Sequence, residues 1–194
     1  MSRNSKGIMI LVMSAIILST IPILMVGINA RPHLDDLVFT ASSSFRPMDE
    51  DPTFYIERSV RFATQNGGAF DVALAVWHTV LDNYMEWQGT FSAIAIFSLH
   101  PGVLIAEEAY PLVMLFTMVP LLLSTFFMCR TIWERPLIPF AVLSFISIQW
   151  LPSLPNGFFW WNGATYYTTF FSLMLVNIAC KIRLALTAGS CTCQ

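Results

Sequence analysis

The chain has 194 residues, of which 56% are hydrophobic and only 11% are charged, and its formal net charge is −2. Soluble domains carry about 25% charged residues, so the composition excludes an ordinary soluble domain and indicates a membrane protein. The small negative net charge gives no general attraction to nucleic acid, and no segment combines basic and aromatic residues as nucleic-acid surfaces do. The length leaves room for a few spans and one sizeable loop, which predicts a single all-α membrane domain over residues 1–194.

Uncharged apolar stretches predict four transmembrane helices. The first, residues 8–28, lacks Asp, Glu, Lys and Arg and has the length of about 20 residues that crosses the hydrocarbon core. Its apolar core is longer than that of a cleaved signal peptide, the alternative reading. The other spans are expected at about 109–129, 136–150 and 164–180. Basic residues flank the spans on one side, at Arg3, Lys6, Arg130, Arg135, Lys181 and Arg183. The positive-inside tendency therefore predicts that both termini are cytoplasmic.

A polar outside loop, residues 29–108, separates the first two predicted spans and holds eleven acidic residues and four arginines. Residues 71–87 predict an amphipathic helix with an apolar stripe at helical spacing. The stripe consists of Leu74, Trp77, Leu81 and Tyr84. Residues 91–99 are apolar but too short to span, and they predict a helix lying at the membrane interface.

An acidic pair, Asp35 and Asp36, follows the first span at the membrane surface. One carboxylate of such a pair can accept the proton of an attacking hydroxyl, and its neighbour can hold a divalent cation, Mg²⁺ or Mn²⁺. An adjacent like charge raises one pKa of the pair, which suits a base. The alternative is a solvated pair at a helix exit, because polar residues outside the core are common.

Two further sets of polar residues could bind a metal ion or a phosphate. His78 and Asp82 lie four apart on one face of the amphipathic helix, where they could ligate a metal; the alternative is the ordinary water-facing side of such a helix. Arginines near the acids could bind a phosphate by a two-point contact, or simply compensate an acidic loop. Those arginines are Arg31, Arg58 and Arg61.

Aromatic residues cluster at Trp87 and across residues 155–167, where Phe158 to Trp161 are four consecutive aromatics. They could wall a lipid-linked substrate, or form the aromatic belt that anchors spans at the interface. No cysteine lies in the predicted outside loops, so we expect no disulfides.

The order of these motifs resembles that of the C-type (GT-C) membrane glycosyltransferases, in particular a bacterial subfamily of undefined function. One span is followed by an Asp-Asp pair at the head of a long outside loop. An amphipathic loop helix then ends in Trp-x-Gly, here residues 87–89, and a later loop carries aromatic-Trp-x-x-Gly-Ala…Tyr, here residues 160–167. The resemblance covers most of the chain.

This resemblance implies transfer of a sugar from a polyprenyl-phosphate carrier to an acceptor at the outer face of a bacterial plasma membrane. One acid of the first loop would act as base on the acceptor hydroxyl, or help to position a metal ion and the donor phosphate. Asp35 is expected as the base and Asp36 as its partner. The expected substrate-binding residues are Arg31, Arg58, Arg61, Trp87, Trp160, Trp161, Asn162 and Tyr167.

The chain departs from the family pattern at two positions and in its size. Leu37 replaces an aromatic residue after the acidic pair, and Thr90 replaces an arginine after Trp-x-Gly. Four spans are fewer than the family usually has, so the chain could be the N-terminal part of a longer enzyme that needs a missing C-terminal half or a partner subunit. The alternative is a non-catalytic accessory or scaffold protein. A transporter is less favoured, because no predicted span carries an internal charge.

Overall fold

The computed structural model describes residues 3–32, 36, 39–40, 58–86 and 91–191, and these residues form helices, turns and short connections without any strand. The α-helices of four or more residues whose bounds the structure gives are numbered in chain order. They are α1 (Arg3–Gly27), α2 (Val60–Asn66), α3 (Ala69–Glu86), α4 (Phe91–Phe97), α5 (Pro101–Leu104), α6 (Val113–Ile132), α7 (Leu137–Gln149) and α8 (Phe170–Cys191). A 3₁₀ turn, Glu107–Leu112, leads into α6. Two π-helical segments, Pro155–Phe159 and Ala164–Thr169, flank a short helical turn, Trp161–Gly163, that leads into α8.

Three helical stretches of the described chain are long and apolar enough to cross a membrane. They are Ile10–Gly27, Glu107–Ile132 and Trp161–Ala188, with mean hydropathies of 2.4, 2.2 and 1.6. These stretches agree with the first, second and fourth predicted spans, and they support an integral membrane protein in contact with lipid.

The third predicted span corresponds to α7, which has only 13 residues. At a rise of about 1.5 Å per residue, α7 is roughly 20 Å long, shorter than the hydrocarbon core of about 30 Å. Pro136 precedes the helix and Trp150 ends it. The fourth membrane crossing therefore stays a prediction.

The spanning helices pack in a bundle in which α6 contacts α7 and α8, while α1 contacts α7. A buried apolar cluster fills one end of this bundle and consists of Ile23, Met114, Met118, Leu121, Ile148 and Phe158. Small hydroxyl residues of α6 are also buried, and each bonds back to a carbonyl of its own helix: Thr125 Oγ1, for example, donates to Leu121 O at 2.7 Å. The hydroxyls are thereby satisfied without a partner from another helix.

Helices α2 to α5 form a separate layer that packs against the start of the second spanning stretch through α5 and the 3₁₀ turn. Within this layer α3 contacts both α2 and α4, and its buried face is made of small and polar side chains. These side chains are Ala75, Thr79, Val80 and Asn83. The predicted apolar stripe of α3 is present but points away from the protein, since Trp77 is 56% exposed and Leu74 44%.

Candidate functional site

The carboxyl group of Asp36 is completely buried where the second and third spanning stretches begin. The hydroxyl of Tyr110, also completely buried, donates to Oδ2 of Asp36. The backbone N–H of Asn162 donates to Oδ1 at 3.3 Å, and the backbone N–H of Trp161 donates to the Tyr110 hydroxyl at 3.1 Å. One acid of the predicted pair is therefore hydrogen-bonded to the second spanning stretch, through Tyr110, and to the third, through Asn162. Asn162 also belongs to the predicted aromatic loop.

The local sequence explains why this loop presents N–H donors. Trp160 has an extended backbone, with φ −99° and ψ 115°, and precedes the helical turn Trp161–Gly163. The first N–H groups of a helix have no acceptor within the helix, so those of Trp161 and Asn162 need oxygens from elsewhere. The Tyr110 hydroxyl and the Asp36 carboxyl supply them, and a carboxylate is favoured at this end of a helix.

Glycine at position 163 allows this turn to pack closely. A Cβ atom on Gly163 would lie 2.5 Å from the backbone oxygen of Asn156 and 2.6 Å from a ring carbon of Trp160. Both distances are too short for any side chain, so packing around the site requires the glycine of the motif.

His100 is a second buried polar residue at this site. Its ring is 1% exposed and meets the Tyr110 ring edge-on, with centroids 5.3 Å apart. Burial, together with the positive charge of Arg61, lowers the pKa of His100 from 6.5 to about 4. The imidazole is therefore neutral at pH 7, with one nitrogen as donor and the other as acceptor. Gly102 makes room for it, because a Cβ there would lie 3.1 Å from Nδ1.

Several buried polar atoms around Tyr110 find no hydrogen-bond partner among the described residues. They are both ring nitrogens of His100, both polar atoms of the Asn162 side chain, and the Thr165 hydroxyl. Buried polar groups are almost always paired with protein or ordered water. These groups can therefore form hydrogen bonds with water or with a hydroxyl-rich ligand. The Asp36 carboxyl, which already accepts two hydrogen bonds, has less remaining capacity.

Of the predicted substrate-binding residues, Trp161 and Asn162 come together with Asp36, whereas two of the arginines bond elsewhere. Arg58 bonds to His78 Nδ1 at 2.6 Å, and Arg61 lies 3.6 Å from Glu107 across an exposed ion pair. Arg31 is exposed and follows Ala30, which packs against Tyr110 and its neighbours.

The remaining predicted residues divide between the described and undescribed parts of the chain. Trp160 is partly buried beside Gly163. Tyr167 is 63% exposed and lines a groove of about 450 Å³ between α6, α7 and the second π-helical segment. Asp35, the expected base, and Trp87 lie outside the described residues. Two buried residues of the site, Tyr110 and His100, were not predicted; the only signal was their position beside prolines at the ends of apolar segments.

The predicted metal ligands do not fit a divalent cation in this arrangement. Within the described ranges, no three side chains of His, Cys, Asp or Glu approach one another as a metal site would require. Both oxygens of Asp36 accept hydrogen bonds from Tyr110 and Asn162. Nδ1 of His78 faces the guanidinium of Arg58, whose positive charge opposes a cation. We therefore assign no step to Mg²⁺ or Mn²⁺.

Known proteins give no guide to the function of this chain, so the functional proposal depends on the sequence motifs and the geometry of the site. No family model, curated protein or solved structure matches this chain.

Proposed function

We propose that this chain is a membrane glycosyltransferase, or the N-terminal part of one, that takes a sugar from a polyprenyl-phosphate carrier at the outer face of a bacterial plasma membrane. The observation that carries the proposal is the hydrogen bond between the Asn162 N–H and Asp36, which joins the acidic pair to the aromatic loop across 126 residues. These are two of the three motifs on which the family resemblance rests, and their contact does not follow from either motif alone.

In this proposal the two acids have different roles. Asp36 is buried and held by two protein donors, so its carboxyl has a structural role. Asp35 accepts the proton of the acceptor hydroxyl as the hydroxyl oxygen forms a bond to the anomeric carbon. The bond from that carbon to the phosphate oxygen breaks, and the polyprenyl phosphate leaves with the electron pair.

The neutral His100 and the side chain of Asn162 support a sugar as the ligand. Both are buried and have polar atoms without a partner in the described part of the chain. An imidazole and a carboxamide together offer donors and acceptors, which matches hydroxyl groups that also donate and accept. Arg31, exposed at the end of the first spanning helix, is the arginine we assign to the carrier phosphate.

A non-catalytic scaffold is the second candidate, and one observation favours it. The Asp36 carboxyl has no exposed surface, and its hydrogen bonds to Tyr110 and Asn162 join the loop to two spanning stretches. A carboxyl used in this way can serve stability alone. In that case neither acid would contact a substrate, and the chain would act through a partner subunit.

The experiment that separates the two candidates uses purified protein in nanodiscs. Binding of a polyprenyl-phosphate sugar and release of polyprenyl phosphate in the presence of an acceptor are measured for wild type, Asp35→Asn and Asp36→Asn. Asp82→Asn, a partly exposed acid on α3, is the matched control. A transferase predicts that Asp35→Asn abolishes release while binding and thermal stability are kept. Absence of carrier binding in wild type, or full release by Asp35→Asn, would favour the scaffold.

A further inference from the structure

A groove of about 370 Å³ runs between α6 and α8, away from the Asp36 site. Ser124 and Ser172 line it, and each is only 3% exposed. Because serine is small, these positions leave space between the helices that larger side chains would fill. Ser124 donates to Leu121 O at 3.0 Å and Ser172 to Thr168 O at 2.8 Å, so neither hydroxyl has a donor left for a ligand.

The rim of the groove is apolar and faces outward. The exposed fractions of its side chains are 64% for Leu123, 58% for Leu173 and 37% for Val176. These residues belong to helical stretches that are long and apolar enough to span a membrane, so in a bilayer the rim meets hydrocarbon chains. On α6 the groove extends from Pro120 to Phe127, about 10.5 Å along the helix axis, and can take part of one acyl chain.

A cationic side chain closes one end of the groove. The guanidinium carbon of Arg183 lies 4.5 Å from the centre of the Phe127 ring, which lines the groove, and its Nε donates to Thr131 Oγ1 at 3.2 Å. Val176 and Arg183 are seven residues apart and therefore share one face of α8. Side chains on a helix lean toward its N-terminus, so Arg183 reaches back toward the groove. The stacking and the Nε bond hold its guanidinium in place.

The remaining donors of Arg183 are available to a ligand. Among the described residues, neither of its two terminal amino groups has a hydrogen-bond or ion-pair partner. These groups carry four N–H donors, which can bind two oxygens of one phosphate together. A guanidinium whose plane is already fixed loses little side-chain freedom on binding. The end of the groove therefore suits a phosphate that is attached to an acyl chain.

The charge around Arg183 favours a ligand with a net negative charge. Arg130, Arg135 and Lys181 are exposed near this end of the bundle, whereas Glu134 is the one acidic residue in the sequence after residue 108. Basic residues between spanning helices near the membrane surface attract anionic head groups. A zwitterionic head group would bring an ammonium that this positive charge repels.

We propose that this groove binds an anionic glycerophospholipid of the phosphatidylglycerol type, with its phosphodiester at Arg183 and one acyl chain between α6 and α8. Such a lipid combines the two properties that the groove selects, a hydrocarbon chain and a net negative phosphate. The proposal does not depend on the transferase activity, because the Asp36 site is at the opposite end of the third spanning stretch.

The test measures lipid binding by native mass spectrometry on the purified full chain in detergent. Phosphatidylglycerol, phosphatidylethanolamine and phosphatidylcholine with identical acyl chains are added separately. Wild type is expected to bind phosphatidylglycerol about tenfold more tightly than either zwitterionic lipid. Equal affinity for the three lipids would overturn the proposal. Full displacement of the lipid by an equal concentration of inorganic phosphate would also overturn it, as would lipid-free dimers that assign the groove to a second copy.

Substitutions then locate the head group. Arg183→Gln keeps an apolar stem but removes the charge, so it is expected to abolish the preference for phosphatidylglycerol. Lys181→Gln removes the same charge two residues away, on a different face of α8, and is the matched control that should keep the preference. Arg183→Lys serves if the glutamine variant melts early; it keeps the charge without the two-point contact and should retain part of the preference. An Arg183→Gln protein that behaves like Lys181→Gln would contradict the assignment.

A further substitution locates the acyl chain. Val176→Trp places a large ring at a 37% exposed position of the groove. It is expected to weaken binding of all three lipids several-fold while the preference for phosphatidylglycerol is kept, because Arg183 is unchanged. Unchanged binding by Val176→Trp would show that the acyl chain lies elsewhere.

Discussion

Replacing Tyr110 with Phe removes one hydroxyl from the centre of the site and leaves the aromatic ring that meets His100 edge-on. Two hydrogen bonds are lost: the one donated to Asp36, and the one accepted from the Trp161 N–H at 3.1 Å. Asp36 is buried and Trp161 is partly buried, and removing one hydrogen bond from such a group costs about 1–3 kcal/mol, and more if the group is charged. We therefore expect Tyr110→Phe to lower the free energy of unfolding by about 2–5 kcal/mol.

The assay is unfolding of the detergent-solubilised protein by SDS, followed by circular dichroism, with Tyr84→Phe as the matched control. Tyr84 is 54% exposed on α3, so its hydroxyl bonds to water and its loss should change the free energy by less than about 0.5 kcal/mol. A double-mutant cycle with Asp36→Asn should give a coupling energy of about 1–3 kcal/mol, because the two side chains share a hydrogen bond. If Tyr110→Phe were no more destabilising than Tyr84→Phe, the reasoning about the buried carboxyl would be wrong.

Three further predictions concern other parts of the chain. The folded state protonates His100 only near pH 4, whereas an unfolded histidine does so near 6.5; the unfolded state therefore binds more protons as the pH falls through this window. The free energy of unfolding should drop by about 3 kcal/mol between pH 6.5 and 4, and unfolding titrations of His100→Gln should lack this contribution. Gly163→Ala places a Cβ 2.5 Å from the Asn156 oxygen and should destabilise by about 1–3 kcal/mol in the same assay, while Gly7→Ala, with nothing within 4 Å, should not. For topology, a membrane-impermeant maleimide applied to intact cells should label Ile105→Cys, at a side chain that is 65% exposed, but not Gly7→Cys; the reverse pattern would refute the cytoplasmic N-terminus.

The membrane helices could be predicted from the sequence because the bilayer imposes a simple requirement. A stretch of about 20 uncharged apolar residues has few other uses, and the Ile10–Gly27 helix satisfies it directly. The α7 helix shows where the rule weakens: its sequence is uncharged and mostly apolar, but the helix ends at Gln149 after 13 residues. Composition predicts that α7 is an apolar helix, but it does not determine whether α7 crosses the membrane.

The orientation of α3 could not be predicted from its apolar pattern. In a soluble protein, the stripe containing Leu74 and Trp77 would face the core. Here the face with Ala75 and Thr79 is buried instead, because small residues let α3 approach its neighbours closely. The large apolar residues remain outside, where lipid can cover them.

The site itself could be predicted only in part, because its hydrogen bonds join distant residues. Asp36 and Asn162 each belong to a recognisable motif, but nothing in either motif specifies their contact. Tyr110 lies 74 residues from Asp36 and begins an apolar span, where a tyrosine is expected to anchor at the interface. Its role as a buried donor follows from the packing of the helices, which the local sequence does not encode.

The bond between the Asn162 N–H and Asp36 also bears on the order in which the protein folds. It joins residues 126 apart, and within that stretch the Trp161 bond to Tyr110 joins residues 51 apart. Contacts of such large sequence separation form late, since the intervening loops must be closed first. During synthesis, the first spanning helix and the loop that carries Asp36 are complete well before residues 161 and 162 leave the ribosome. The buried carboxyl therefore gains its Asn162 donor only once the third spanning stretch has begun to be made.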